Sequence, residues 1–171
     1  MGGLNLIRID RSGDWECVPV QLSPERLEAL QGSLMLFYTG LQRSASEIQT
    51  DTVAALRQRE TTMDLIQGLV DESVGILLGS RQLDDFGSLL HQGWILKQRL
   101  SSRICPPEIS ELYEAARHAG ALGGKLLGAG GGGFMLLYAR PGDQAKVRAA
   151  LPGLLEVPLR FETEGTRLIL G

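Results

Sequence analysis

The 171-residue sequence predicts an α+β domain built on an antiparallel sheet. Three observations carry that expectation. Helix-period and strand-period segments are mixed along the chain without the regular β-α alternation of a doubly wound parallel sheet. The middle of the chain holds long stretches of helical spacing, whereas both ends read as short strands. No internal repeat or low-complexity linker divides the chain, and its length and 43% hydrophobic, 22% charged composition suit a single domain over residues 1–171.

Leu4 to Ile9 and Trp15 to Val20 read as two strands joined through Asp10-Arg-Ser-Gly-Asp14, whose Ser-Gly-Asp supplies hairpin chemistry. Ser23-Pro24-Glu25 starts a short helix, because Ser caps and Pro at the first helical position gives up only an orphaned donor. Ser33 to Tyr38 is a nearly continuous apolar run, expected as a strand buried on both faces. Ser44-Ala-Ser-Glu47 fits a capping box and predicts a helix from about Ala45 to Arg59. Met63, Ile66, Leu69, Val70, Val74 and Leu77 mark a clearer amphipathic helix, and Phe86, Leu89, Leu90, Trp94, Leu96 and Leu100 mark another. Pro106-Pro107-Glu108 starts a fourth long helix that ends before Gly120. Phe134 to Ala139 reads as a buried strand, Asp143 as the cap of a short helix through Leu151, and Leu155 to Glu162 as a half-buried alternating strand. Thr166 to Leu170 closes the chain as a last strand. The final strand, helix and strand have the order of a ferredoxin-like split βαβ sheet carrying additional helices.

Composition narrows the function classes. The formal charge is −3 and the pI about 5.4, with both signs interspersed, so no basic footprint for nucleic acid or anionic lipid exists. No run of about 18 apolar residues is present, so a membrane partner is not expected. Cys17 and Cys105 lack CxxC spacing and no signal peptide precedes them, which points to free thiols in a reducing cytoplasm. His91 and His118 stand far apart within helical segments, in structural roles, and no His/Cys metal cluster is seen.

The stretch Gly128-Ala-Gly-Gly-Gly-Gly133 puts five glycines into six residues just before an apolar strand. Such a cluster survives where the backbone needs positive φ or very close approach. It formally matches G-x-G-x-x-G, but the dinucleotide fingerprint needs a strand before and a helix after, and here a helix and a short connector precede a strand. Walker A fails as well, since Lys125 comes before the glycines. Two readings stay open: a tight crossover from helix to strand, and an anion-binding nest of amides with the Lys125 charge beside it. Arg43 and Ser44, between a strand and a capped helix, are either a surface charge and a helix cap or binding groups at a strand end.

KLLGAGGGGF, Lys125 to Phe134, resembles the third motif of the GHMP kinases, and LMLFYTGLQRSASEI, Leu34 to Ile48, resembles the branch that phosphorylates D-glycero-D-manno-heptose 7-phosphate. Gly2 to Ile9 and Val157 to Ile169 resemble that branch too, so the resemblance covers essentially the whole chain. It implies the carboxyl-terminal domain of an ATP-dependent, Mg2+-using sugar kinase. The P-x-x-x-G-L-G-S-S-A loop and catalytic aspartate of the family's amino-terminal, ATP-binding domain are absent from these residues, so no catalytic residue is assigned and no turnover is expected from this chain alone. Residue by residue, the motif implies that Gly128, Ala129, Gly130, Gly131, Gly132 and Gly133 border the phosphate and substrate cleft. Lys125 is expected beside the same phosphate and substrate cleft, and Arg43 and Ser44 are expected to face a sugar phosphate, a role to which a bidentate arginine is suited. The implied partner is an amino-terminal kinase domain or, failing that, a second copy meeting the exposed face. One subunit of a split kinase and a non-catalytic sugar-phosphate-binding or regulatory module are the alternatives.

Overall fold

The computed structural model describes residues 2–41, 60–79 and 81–166. Arg43, Ser44, the expected helix from Ala45 to Arg59 and the last strand beyond Thr166 lie outside them. The chain runs β1 (Asn5–Ile9), β2 (Trp15–Pro19), α1 (Pro24–Ser33), β3 (Leu34–Tyr38), α2 (Glu60–Leu77), α3 (Asp84–Gln98), α4 (Pro107–His118), β4 (Ala121–Leu126), β5 (Phe134–Ala139), α5 (Gln144–Ala150) and β6 (Leu155–Val157).

Strands β1 and β2 form a separate antiparallel ribbon, with Ile9 opposite Trp15. Its turn is tied by the Asp10 carboxylate, which accepts from the amides of Ser12 at 2.9 Å and Asp14 at 3.0 Å. The main sheet has the order β4-β5-β3-β6, antiparallel at every pairing. Because β5 sits between β3 and β4, which run the same way, the topology is a split βαβ with extra helices in its first crossover. The expected fold class is therefore the one observed.

The sheet has an apolar cluster on each face. Met35, Phe37, Met135 and Leu137 join Ile109, Tyr113 and Ala116 of α4 and Val147 of α5. Tyr138 turns the other way, to Leu30 of α1 and Leu77 of α2. Ser23 caps α1, its Oγ accepting from the Arg26 amide at 3.3 Å. The Arg26 side chain then donates to the carbonyl of Leu77 at 2.7 Å and to that of Ile76, satisfying two acceptors at the end of α2.

Four local expectations are corrected. Ala121 to Leu126, expected as a connector, is an edge strand whose glycines hid it, since glycine lacks a side chain to pack. Those glycines are required by tertiary contact: a Cβ on Gly123 would lie 1.9 Å from the Gly87 carbonyl oxygen of α3. Strand β3 is not covered equally on both faces, because Met35 and Phe37 are buried while Leu34, Leu36 and Tyr38 stay half-buried. Strand β6 stops at Val157, where Pro158 removes the next ladder donor. Asp143 makes no capping bond to the α5 backbone; its carboxylate accepts from Lys146 Nζ at 2.7 Å.

Candidate functional site

The glycine stretch is the loop of the β4–β5 hairpin, not a crossover out of a helix. Its base closes through the Leu127 amide, which donates to the Phe134 carbonyl at 2.8 Å. From there alternate residues are anchored: Gly131 N–H donates to the Ile104 carbonyl and Gly133 N–H to the Leu41 carbonyl, both at 2.9 Å. Gly133 also accepts from Thr39, through the amide at 2.8 Å and the hydroxyl at 2.9 Å. Two positions need glycine for contact as well as conformation. Gly130 has φ +111 and lies against the Ile104 backbone, where an added Cβ would meet the Ile104 Cα at 3.0 Å. At Gly132 a Cβ would lie 2.3 Å from the Leu41 oxygen.

The anchoring leaves a set of donors unspent. Among the described residues, no acceptor meets the amides of Gly128, Ala129, Gly130 or Gly132. Ala129, Gly130 and Gly132 are half-buried and Gly128 is exposed, so these donors remain within reach of a ligand. The loop has positive φ at Gly128, Gly130, Gly131 and Gly133, and successive free amides on backbone of mixed hand are the geometry from which anion-binding nests are built. The chemistry of the donor set suits anionic oxygens and does not suit a cation.

Charge reinforces this on one side. Lys97 of α3 donates from Nζ to the Gly128 carbonyl at 2.6 Å. Burial, and then the charge of Lys125, push the Lys97 amine down to about 8. Lys125 lies on β4 and shares with Lys97 the lining of a cavity between α2 and α3. On the other side of the loop, a depression beside Thr39 and Leu41 is bordered by Glu108 and Glu111 of α4. The site is basic toward α3 and acidic toward α4.

Of the residues singled out in the sequence, the structure assembles Gly128 to Gly133 into one loop and sets Lys125 on the strand leading into it. Arg43 and Ser44 lie outside the described residues, but Leu41, two residues before Arg43, is held directly by the loop. Lys97 was not foreseen. Its signal was present: Leu90, Trp94 and Lys97 follow helical spacing, placing a cation on an apolar stripe. His91 serves packing, its ring stacked on Tyr113 at 5.9 Å with Nδ1 2.8 Å from the Tyr113 hydroxyl. Cys17 and Cys105 are free thiols. Among the described residues no three His, Cys, Asp or Glu side chains gather as a metal site, and no helix is long and apolar enough to cross a membrane.

Residues 76–156 match the family model "GHMP kinases C terminal". A mevalonate kinase of Pyrococcus horikoshii is 32% identical over 158 residues, covering 84% of this chain and 45% of that protein. The D-glycero-alpha-D-manno-heptose 7-phosphate kinase of Campylobacter jejuni is 24% identical over 153 residues, covering 88% of this chain and 44% of that protein. Among solved structures, L. major mevalonate kinase in complex with R-mevalonate superposes with a TM-score of 0.71 at 19% identity, over 91% of this chain and 48% of that one. The chain spans less than half the length of the curated relatives it matches. Heptose kinases are not singled out among these relatives, since mevalonate kinases align at higher identity.

Proposed function

We propose that this protein, whose residues 76–156 match the family model for the GHMP kinase carboxyl terminus, supplies one wall of a cleft in which the γ-phosphoryl group of Mg-ATP passes to a sugar phosphate of the heptose 7-phosphate class. The observation that carries the reading is the union of two motifs. The glycine loop is bonded to Thr39 and Leu41, so the third-motif resemblance and the start of the heptose-branch segment, Leu34 to Ile48, meet at one strand end.

Phosphoryl transfer relies on positioning and on electrostatic stabilisation of the transferred group. The free amides of Gly128, Ala129, Gly130 and Gly132 would hold anionic oxygens, and Lys97 and Lys125 raise the potential behind them. Arg43 and Ser44 belong to the sugar-phosphate side of this reading, on sequence alone. ATP, when bound, supplies the phosphoryl group. Magnesium ligands and the base come from an amino-terminal half, for which the ribbon offers an uncovered face: Ile7, Ile9 and Trp15 are 61%, 71% and 62% exposed. A cytoplasmic setting, with both thiols reduced, belongs to the same reading.

The test is calorimetric titration of the purified chain with heptose 7-phosphate, with mevalonate and with Mg-ATP, beside a coupled ADP-release assay. Binding of heptose 7-phosphate but not mevalonate, without ADP formation, is expected. Mevalonate binding in its place would overturn the substrate class, and turnover by the chain alone would overturn the division of labour between two halves.

A further inference from the structure

The cavity between α2 and α3 has a volume of about 410 Å³, within the range of small-molecule sites. Its walls are apolar, with Met63, Phe86 and Leu90 among them, and its cations are Lys97 and Lys125. Among the described residues neither ammonium has a carboxylate partner. Trp94 also lines it; the residue is 1% exposed and its indole Nε1–H is buried with no acceptor among the described residues.

We propose that this cavity is a binding site for a small amphipathic anion, whose acidic head is met by Lys97 and Lys125 and whose aliphatic body lies along Met63, Phe86 and Leu90. The argument is one of unmatched charge. Two like charges brought together at an apolar wall repel and lose hydration, a cost that an anion between them relieves; Lys97 spends one donor on the Gly128 carbonyl and keeps the others for such a head. Burial chiefly, and then the neighbouring Lys125, depress the Lys97 amine, as expected of an ammonium held at an apolar wall without a counter-charge. A donor is also left over, in the Trp94 indole, and buried donors ordinarily have partners. A carboxylate or phosphate head supplies several acceptors at once. An alcohol of the same length satisfies the apolar wall but not the charges. This inference shares Lys97 and Lys125 with the kinase reading but rests on the apolar cavity beside them, and its readout is the affinity that a decyl chain adds to an anionic head, not sugar-phosphate binding or ADP formation.

The experiment titrates the full chain with decanoate, decyl phosphate and decanol below their aggregation concentrations, followed by calorimetry and, in a Trp15→Phe background, by Trp94 emission. Decanoate and decyl phosphate are expected to bind at least tenfold more tightly than decanol. Lys97→Met and Lys125→Met are each expected to remove about that factor while leaving decanol binding unchanged. Gly93→Leu keeps both charges and fills the space, since a Cβ at Gly93 meets the cavity-lining Leu69 side chain at an ordinary 3.5 Å; it should abolish binding. Equal affinity for decanoate and decanol on the unaltered chain would overturn the proposal without any variant. So would decanoate binding that survives in the Lys97→Met/Lys125→Met double variant, or inorganic phosphate binding as tightly as decyl phosphate.

Discussion

Replacing Gly132 with alanine adds one methyl group where the loop touches the end of β3. The new Cβ would lie 2.3 Å from the Leu41 carbonyl oxygen and 2.8 Å from its carbon, an overlap that only backbone movement relieves. That carbonyl accepts the Gly133 amide at 2.9 Å, so moving it weakens a half-buried bond worth about 1 kcal/mol. Overpacking against backbone adds about 1–3 kcal/mol. The expected loss is therefore about 2–4 kcal/mol, a large fraction of the roughly 5–15 kcal/mol by which domains are stable. Urea unfolding measures it. Gly142→Ala is the control, because no atom lies within 4 Å of its Cβ and its φ is not positive; it should be neutral, or stabilising by about 0.4–1 kcal/mol. A Gly132→Ala chain within about 0.5 kcal/mol of the unaltered protein, the scatter of surface substitutions, would refute the claim that the loop is pinned to Leu41.

Gly123→Ala should be at least as costly, since its Cβ would meet the Gly87 oxygen at 1.9 Å and separate α3 from β4; a loss of about 3 kcal/mol or more by urea unfolding is expected. The Lys97 amine, held at about 8 in the folded chain against an ordinary 10.5, gives stability a pH dependence. Between those values the unfolded chain binds more protons, so stability should rise as pH climbs from 8 toward 10.5. Full conversion would give about 3 kcal/mol, and solvent reaching the half-buried amine reduces this to about 1 kcal/mol; Lys97→Met should flatten the rise in unfolding curves taken across that window. Ile7→Ser with Ile9→Ser should lower binding of a hydrophobic dye and any self-association in sedimentation, with little change in stability, because both side chains are already mostly exposed.

The described helices were legible because their signals are local. Ser23-Pro24 and Pro106-Pro107 mark starts that the structure places within a residue, and apolar spacing set the extents of α2 and α3. What escaped notice depended on contacts distant in sequence. Strand β4 is written ALGGKL because α3 crosses it at Gly123 and the backbone of β5 closes on Gly124, and nothing near those glycines announces either neighbour. The glycine loop was singled out as a candidate anion site but placed in the wrong connection, and its division into spent and unspent amides follows from Ile104 and Leu41, distant in sequence. Lys97 carries no motif of its own, and only the fold puts its ammonium on the Gly128 carbonyl.

The pattern of free and anchored amides gives the most direct test of the phosphate cradle. Amide resonances of the 15N-labelled chain would be followed while heptose 7-phosphate is added. The account predicts that Gly128, Ala129, Gly130 and Gly132 shift in a saturable way, whereas Gly131 and Gly133, already bonded to Ile104 and Leu41, move much less. Unchanged resonances from Gly128 to Gly133 in the presence of saturating ligand, or shifts confined to a distant surface, would contradict it.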